Sequence, residues 1–200
     1  MNNPFSPFLI RNIPQELSEK EFPKYLEHLL ELNKKDRILR FGYAISSNQI
    51  EKYTSSLNKK NDIIYGIKEG EKVIAAAHLA KINYQDKKII ELGISVNSEY
   101  RNRGLGSALF ESATYKSRNQ GFQLLETQCL KDNTWMMKKA REKNMTLTRD
   151  GAESFGELKL EKPDFMSITT EIGNRRRGLY NTIWDNYFQM IDPFSYLAKN

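Results

Sequence analysis

The 200-residue chain has one cysteine, Cys129, and two histidines, His28 and His78. A lone cysteine excludes an internal disulfide and argues against a structural zinc site, so no metal is expected. Thiol usage of this kind fits a reducing, cytoplasmic compartment. No apolar run reaches the ~18 residues that cross a bilayer. The opening MNNPFSPFLIRN lacks a charged region followed by an apolar one, so the chain reads as soluble and unprocessed. No GxxxxGK[ST] run occurs, which removes a P-loop, and there are no repeats, zinc-finger spacings or aromatic-rich RNA motifs. With 31 basic against 25 acidic residues the formal charge is +6. That balance suits phosphate-bearing partners but is too small to point to nucleic acid.

The most informative stretch is residues 89 to 121, IIELGISVNSEYRNRGLGSALFESATYKSRNQG. An apolar run with strand character (Ile89, Ile90, Leu92, Ile94, Val96) passes through a polar turn to Arg101-Asn102-Arg103-Gly104-Leu105-Gly106 and then a helical pattern. Apolar or small residues at Leu105, Ala108, Leu109, Ser112 and Ala113 recur at helical spacing, and Gly121 stands where a left-handed C-cap ends a helix. The first turn of such a helix leaves backbone N–H groups unpaired and favours an anion. Two glycines let the backbone approach a ligand, and two arginines add positive charge, as a pyrophosphate site requires. A plain structural turn has the same glycines. A dinucleotide fingerprint fits less well: Leu109 fills its third glycine's place, and about seven residues separate the glycines from the strand.

The run Arg101-x-x-Gly104-x-Gly106, with strand Ile94-Ser95-Val96 before it and an amphipathic helix after it, resembles the acyl-CoA-binding motif of the GNAT superfamily of N-acetyltransferases. By element order the resemblance covers roughly residues 5 to 161; its specific part is 89 to 145. It implies an α/β fold with a central mixed, mostly antiparallel sheet and helices on both faces. The implied domain occupies 1–162, followed by an aromatic-rich extension over 163–200.

The resemblance also implies a donor, acetyl-CoA, and a site to hold it. Its pyrophosphate belongs on the backbone amides of Asn102, Arg103, Gly104, Leu105, Gly106 and Ser107, beside Arg101. In GNAT folds the strand before this loop splays from its neighbour, and pantetheine pairs with it like an added strand. That assigns Ile94, Ser95 and Val96, with a backbone N–H near Val96 as oxyanion hole. An acceptor amine with a pKa near ~10.4 attacks only after losing a proton. Glu91 interrupts the apolar strand where several protein-lysine acetyltransferases place a glutamate base, and partial burial is expected to tune it. Asn133 matches a family asparagine that bonds pantetheine. Seven residues on, Ala140 stands where a tyrosine acid is usual, and Asn144-Met145 replaces a Gly-Phe pair. A thiol pKa near ~8.5 makes the thiolate a tolerable leaving group without that acid.

Along the rest of the chain, PFLIRNI (7–13) reads as a strand ended by Pro14, and Ser18 with Glu21 as the capping box of a helix through Leu30. His28 is expected at its surface or boundary. Arg37, Arg40, Phe41 and Tyr43 are candidates for the acceptor wall, the alternative being core aromatics with salt-bridged arginines. Ser47 or Asn48 caps a short helix through Ile50, Tyr53 and Leu57. Two strands, NDIIYGIKE and KVIAAAHLAKINY, meet at Gly70, and His78 in the second reads as packed rather than catalytic. After the motif helix come strand FQLLETQC, in which Cys129 reads as a small buried hydrophobe, a helix capped by Asp132 or Asn133, and a hairpin at Asp150-Gly151. The tail pairs Arg175, Arg176 and Arg177 with Tyr180, Ile183, Trp184, Tyr187, Phe188 and Ile191 at helical spacing. It suits a helix packed on the domain, a homodimer contact, a lid or a membrane-surface helix.

The expected function is therefore acetyl transfer to a primary amine, a protein lysine, an N-terminus or a small molecule, by direct attack in a ternary complex. A non-catalytic CoA-binding module and a polyanion- or membrane-associated protein are the alternatives.

Overall fold

The computed structural model describes residues 13–176 except 59, 85, 86 and 175. A short strand β1 (Gln15–Glu16) leads through a 3-10 turn, Glu19–Glu21, into three helices: α1 (Phe22–Glu31), α2 (Lys34–Phe41) and α3 (Ser47–Ser55). Three antiparallel strands follow, β2 (Asp62–Glu69), β3 (Lys72–Tyr84) and β4 (Lys87–Val96). Then come α4 (Leu105–Asn119), β5 (Leu124–Leu130), α5 (Thr134–Glu142) and the hairpin β6 (Thr146–Asp150) and β7 (Glu153–Lys159). A last helix, α6, covers 165–174. The seven strands form one sheet in the order β1-β2-β3-β4-β5-β7-β6, antiparallel except where β4 meets β5.

Local signals account for most of these boundaries. Ser18 and Glu21 form the expected capping box, with Glu21 accepting from the Ser18 N–H at 2.9 Å. Ser46, not Ser47 or Asn48, caps α3, and Asn133 caps α5 by accepting from the Met136 N–H. The strand expected over 7–13 falls mostly outside the described residues. Ile13 is not in a strand, and pairing begins only after Pro14. Proline lacks an N–H for the ladder, which suits this boundary.

Two apolar layers sandwich the sheet. On one face Tyr25 and Leu29 of α1 and Ile50 of α3 pack on Ile64, Val73 and Ala76. On the other, Leu105, Leu109, Phe110 and Ala113 of α4, with Ala140 of α5, pack on Ile63, Ile90, Leu92 and Leu125. Each such side chain taken from water stabilises the fold by roughly 1.5–3 kcal/mol. His28, expected near the surface, is instead fully enclosed under the first layer. One ring nitrogen lies 3.0 Å from the Val73 carbonyl oxygen and the other 2.8 Å from Ser95 Oγ. Its i, i+3 spacing from Tyr25 places it on the buried stripe of α1, where two polar partners satisfy it. The tail residues from 177 on, with their aromatic stripe, lie outside the described residues. α6 docks on α4, with Ser167 Oγ donating to Asn119 Oδ1 at 2.6 Å and Arg118 paired with Asp164.

Candidate active site

The parallel pairing of β4 with β5 lasts three residue pairs, from Ile89↔Leu124 to Glu91↔Glu126. β5 then runs with β7 as far as Leu130↔Glu153, while β4 stays with β3 as far as Ala75↔Val96. The sheet therefore splits beyond Glu91, like a V. Thr127 Oγ1 donates to the Leu92 carbonyl at 3.0 Å at the root of the split, so the carbonyl of Leu92 faces the β5 side. The Asn97 N–H donates the other way, to Ile74 at 3.0 Å. Because backbone direction alternates along a strand, the amides of Ile94 and Val96 face into the split. Ser95 faces away from it: its side chain is buried against His28.

Between the split and the start of α4 lies a cleft of about 390 Å³ lined by Ile94, Ser95 and Val96, the loop residues Arg101, Asn102 and Gly104 to Ser107, and Asn133 to Met136. Its far wall is α2, with Asp36 and Arg40. The loop curls because Asn102 and Gly104 adopt left-handed φ angles of 61° and 77°. Such angles cost glycine nothing and suit asparagine better than most residues, and they fold the chain so that the first amides of α4 face the cleft. A second cavity of about 400 Å³, between β1, α4 and α6, contains none of these residues.

The candidate residues are not all disposed as expected. Arg101 borders the cleft but pairs with the buried Asp36 of α2, so it straps the loop to the far wall. Arg103 is not among the lining residues; it stacks on Tyr100 at 5.0 Å and donates to the Glu99 carbonyl at 3.2 Å. Asn133 faces the cleft, with its side-chain oxygen used by the cap of α5. Glu91 is exposed rather than partly buried, level with Ala80 and Glu126. It shares a face with Gly93, which Arg40 of α2 covers, and Ser95, which His28 of α1 covers. Neighbouring Glu126 titrates above the usual carboxylate range through burial and the nearby carboxylates of Glu157 and Glu91.

Of the proposed wall residues, Arg37 donates to the carbonyls of Leu30 and Leu32 and serves the α1–α2 corner. Tyr43 is exposed, and Phe41 packs edge-on against Tyr53 at 5.4 Å. Arg40 alone enters the cleft. Its guanidinium lies flat on β4 at Gly93, where an added Cβ would come within 2.4 Å of Cζ. Ala140 is buried in the core, so that position offers no acid. Cys129 is buried and burial pushes its thiol up, as a small hydrophobe's would be. Trp135, not singled out from the sequence, packs its indole on Gly106, 2.8 Å from where a Cβ would stand, at the turn that begins α4.

A split parallel pair, an anion-ready helix start and an intervening cleft are what the motif implied. The description "Acetyltransferase (GNAT) family" matches residues 22–141, more than half of the chain. The chain belongs to the GNAT family. It is accordingly an acetyltransferase, and its fold is that of solved members. The GNAT domain of S. lividans PAT has a TM-score of 0.62 at 16% identity, covering 74% of this chain and 89% of that one. RimL, a ribosomal L7/L12 alpha-N-protein acetyltransferase solved in complex with coenzyme A, has 0.59 at 14%, covering 75% and 94%. The Salmonella typhimurium protein yncA, solved with its cofactor acetyl-CoA, has 0.57 at 12%, covering 76% and 97%. No curated protein matches the sequence. Among the described residues no group of three or more His, Cys, Asp or Glu side chains could hold a metal ion.

Proposed function

We propose that this GNAT enzyme transfers the acetyl group of acetyl-CoA directly to a primary amine in a ternary complex, the acceptor being a protein lysine, an N-terminus or a small molecule. The observation that carries the reading is the parting of β4 from β5 beyond Glu91, which turns the Ile94 and Val96 backbone into an open strand edge. A pantetheine arm has amides that can pair with such an edge. The amides from Asn102 to Ser107 would take the pyrophosphate, with Arg101 adding charge. Asn133 would contact the pantetheine, and the Val96 N–H would stabilise the negative charge on the thioester oxygen.

In the transfer a C–N bond forms as the C–S bond breaks; the amine sheds a proton and the thiolate gains one. Glu91 is the base on this reading. It shares the Gly93 and Ser95 face, and its exposure keeps it in contact with solvent, to which the proton can pass. Ala140 supplies no proton to the thiolate, so water completes that step.

The test is calorimetric titration with acetyl-CoA, wild type against Gly106→Glu, whose side chain meets Trp135 and places a carboxylate where phosphate would sit. Micromolar binding by the wild type alone, followed by acetylation of amines read by mass shift, supports the reading. Absence of wild-type binding removes it.

A further inference from the structure

Arg40 seats its guanidinium on the strand at the acyl end of the proposed site, and among the described residues no carboxylate lies within ion-pair distance of it. Its Nε is buried without a hydrogen-bond partner there. Burying an uncompensated charge is costly, so something must hold it. Its Nη2 donates to the phenol oxygen of Tyr53 at 3.2 Å and to that of Tyr25 at 3.4 Å. The chain continues: Tyr53 OH lies 2.6 Å from His78 Nδ1, and His78 Nε2 lies 2.7 Å from Asp62 Oδ1. These four residues come from α2, α3, β3 and β2.

The chemistry of the partners fixes the direction of every bond. Guanidinium only donates and carboxylate only accepts. Burial holds His78 below the usual histidine range, so it is neutral, with a single ring proton. That proton sits on Nε2, facing Asp62, which leaves Nδ1 to accept from the Tyr53 hydroxyl. Burial likewise keeps the Tyr53 phenol protonated. Every donor then points one way, Arg40 to Tyr53 to His78 to Asp62, and hydrogen bonds in such a series polarise one another. Asp62 anchors the far end of the series, and the carboxylate charge that favours the guanidinium is that of Glu91.

We propose that Tyr53, His78 and Asp62 are positioning residues for acetyl transfer: they hold the Arg40 guanidinium over Gly93, so that a fixed cation borders the approach of the acceptor amine. A cation there disfavours the ammonium form of the acceptor and favours the negative charge that builds on the thioester oxygen. Both effects serve an enzyme whose usual acid position is Ala140. The inference rests on the proposed transfer reaction and adds residues that the motif does not reach.

Tyr53→Phe removes one oxygen and keeps the ring against Phe41. It is expected to leave the acetyl-CoA Kd and the acceptor KM within twofold of wild type while kcat falls on the order of 10- to 100-fold, the scale of a misplaced catalytic group. His78→Phe should do the same, and His78→Gln, which keeps an acceptor for Tyr53 and a donor for Asp62, should recover most of the loss. The pH profile supplies a readout that simple packing would not move. His78 is faced by Asp62, Tyr53, Arg40 and, from the neighbouring strand, Glu91. When it takes a second proton, Nδ1 can no longer accept from Tyr53, so wild-type kcat should drop below the ordinary histidine range and His78→Gln should lose that limb. Wild-type kcat in Tyr53→Phe would overturn the inference while leaving the transfer reaction intact. Equal loss of acetyl-CoA binding and thermal stability in Tyr53→Phe would overturn it as well, by making the chain a folding element. A wild type that neither binds acetyl-CoA nor acetylates an amine fails one step earlier and removes both readings.

Discussion

Gly93→Ala separates the seat of Arg40 from the rest of the site. A Cβ at position 93 would stand 2.4 Å from Cζ, 2.5 Å from Nη1 and 2.7 Å from Nη2 of Arg40, whereas ordinary contact starts at 3.4 Å. The guanidinium must therefore lift by roughly 1 Å, which is also the scale of misplacement that costs up to ~10²-fold in rate. Its bonds to Tyr53 and Tyr25, already 3.2 and 3.4 Å long, would not survive that lift. The obstructing atoms belong to the end of a flexible side chain that can turn toward the cleft, so the stability cost should stay near ~1 kcal/mol, one net hydrogen bond. Against this, a ~10²-fold fall in kcat corresponds to ~2.7 kcal/mol of transition-state stabilisation. The assay is steady-state kinetics with saturating acetyl-CoA, calorimetric Kd for acetyl-CoA and a denaturant midpoint on the same preparation. Adding Arg40→Ala decides the cause: if the loss runs through the guanidinium, the double variant is no slower than Arg40→Ala alone. A Gly93→Ala enzyme within twofold of wild-type kcat would refute the placement of Arg40 at the reacting end.

Three further outcomes are expected. Glu91→Gln should keep acetyl-CoA binding, lower kcat by ~10² to 10⁴-fold and flatten the rise of rate with pH; unchanged turnover would remove Glu91 from the mechanism. Burial pushes the His28 imidazole down to about 4, so its contribution to stability is complete above the unfolded value of ~6.5 and is lost as pH falls toward 4. The loss should reach about 3 kcal/mol, and His28→Gln should flatten the urea midpoint between pH 7 and 4.5; parallel curves would contradict this. Because the Trp135 indole rests on Gly106, acetyl-CoA should change tryptophan emission in the wild type, and Trp135→Phe, which retains Trp184, should lose most of that change; an undiminished change in the variant would refute contact between Trp135 and the ligand.

Elements with strong local signals were legible in the sequence, and so was the loop that the motif names. The order of strands, the Ser18–Glu21 box and α4 with its left-handed Gly104 all follow from short-range patterns. Helix α2 was not legible, because KKDRILRF carries few apolar residues and its cap, Asn33 accepting from the Asp36 N–H, looks like any polar turn. The exposure of Glu91 also escaped, since an interrupted apolar strand reads as buried until one knows where the covering helices stop.

The chain from Arg40 to Asp62 marks the boundary between what a motif and what a fold can disclose. Asp62 and His78 are out of reach of sequence reasoning: the two-residue turn at Gly70-Glu71 alone would set His78 opposite Ile63, and only a bulge between Ile67 and Lys68 shifts the β2–β3 register so that His78 stands opposite Ile64, diagonal to Asp62 on the same face. Nothing local brings α3 over that face either, and without Tyr53 the pair looks like an ordinary surface ion pair. A motif records where the backbone meets a cofactor shared by many enzymes. The acceptor side is built from side chains whose spacing depends on how three helices happen to pack, so each member of the fold can build it differently. On the proposed reading an exposed Glu91, a tethered Arg40 and an apolar Ala140 are one arrangement: the fixed cation favours the neutral amine and the oxyanion, and water rather than residue 140 protonates the thiolate.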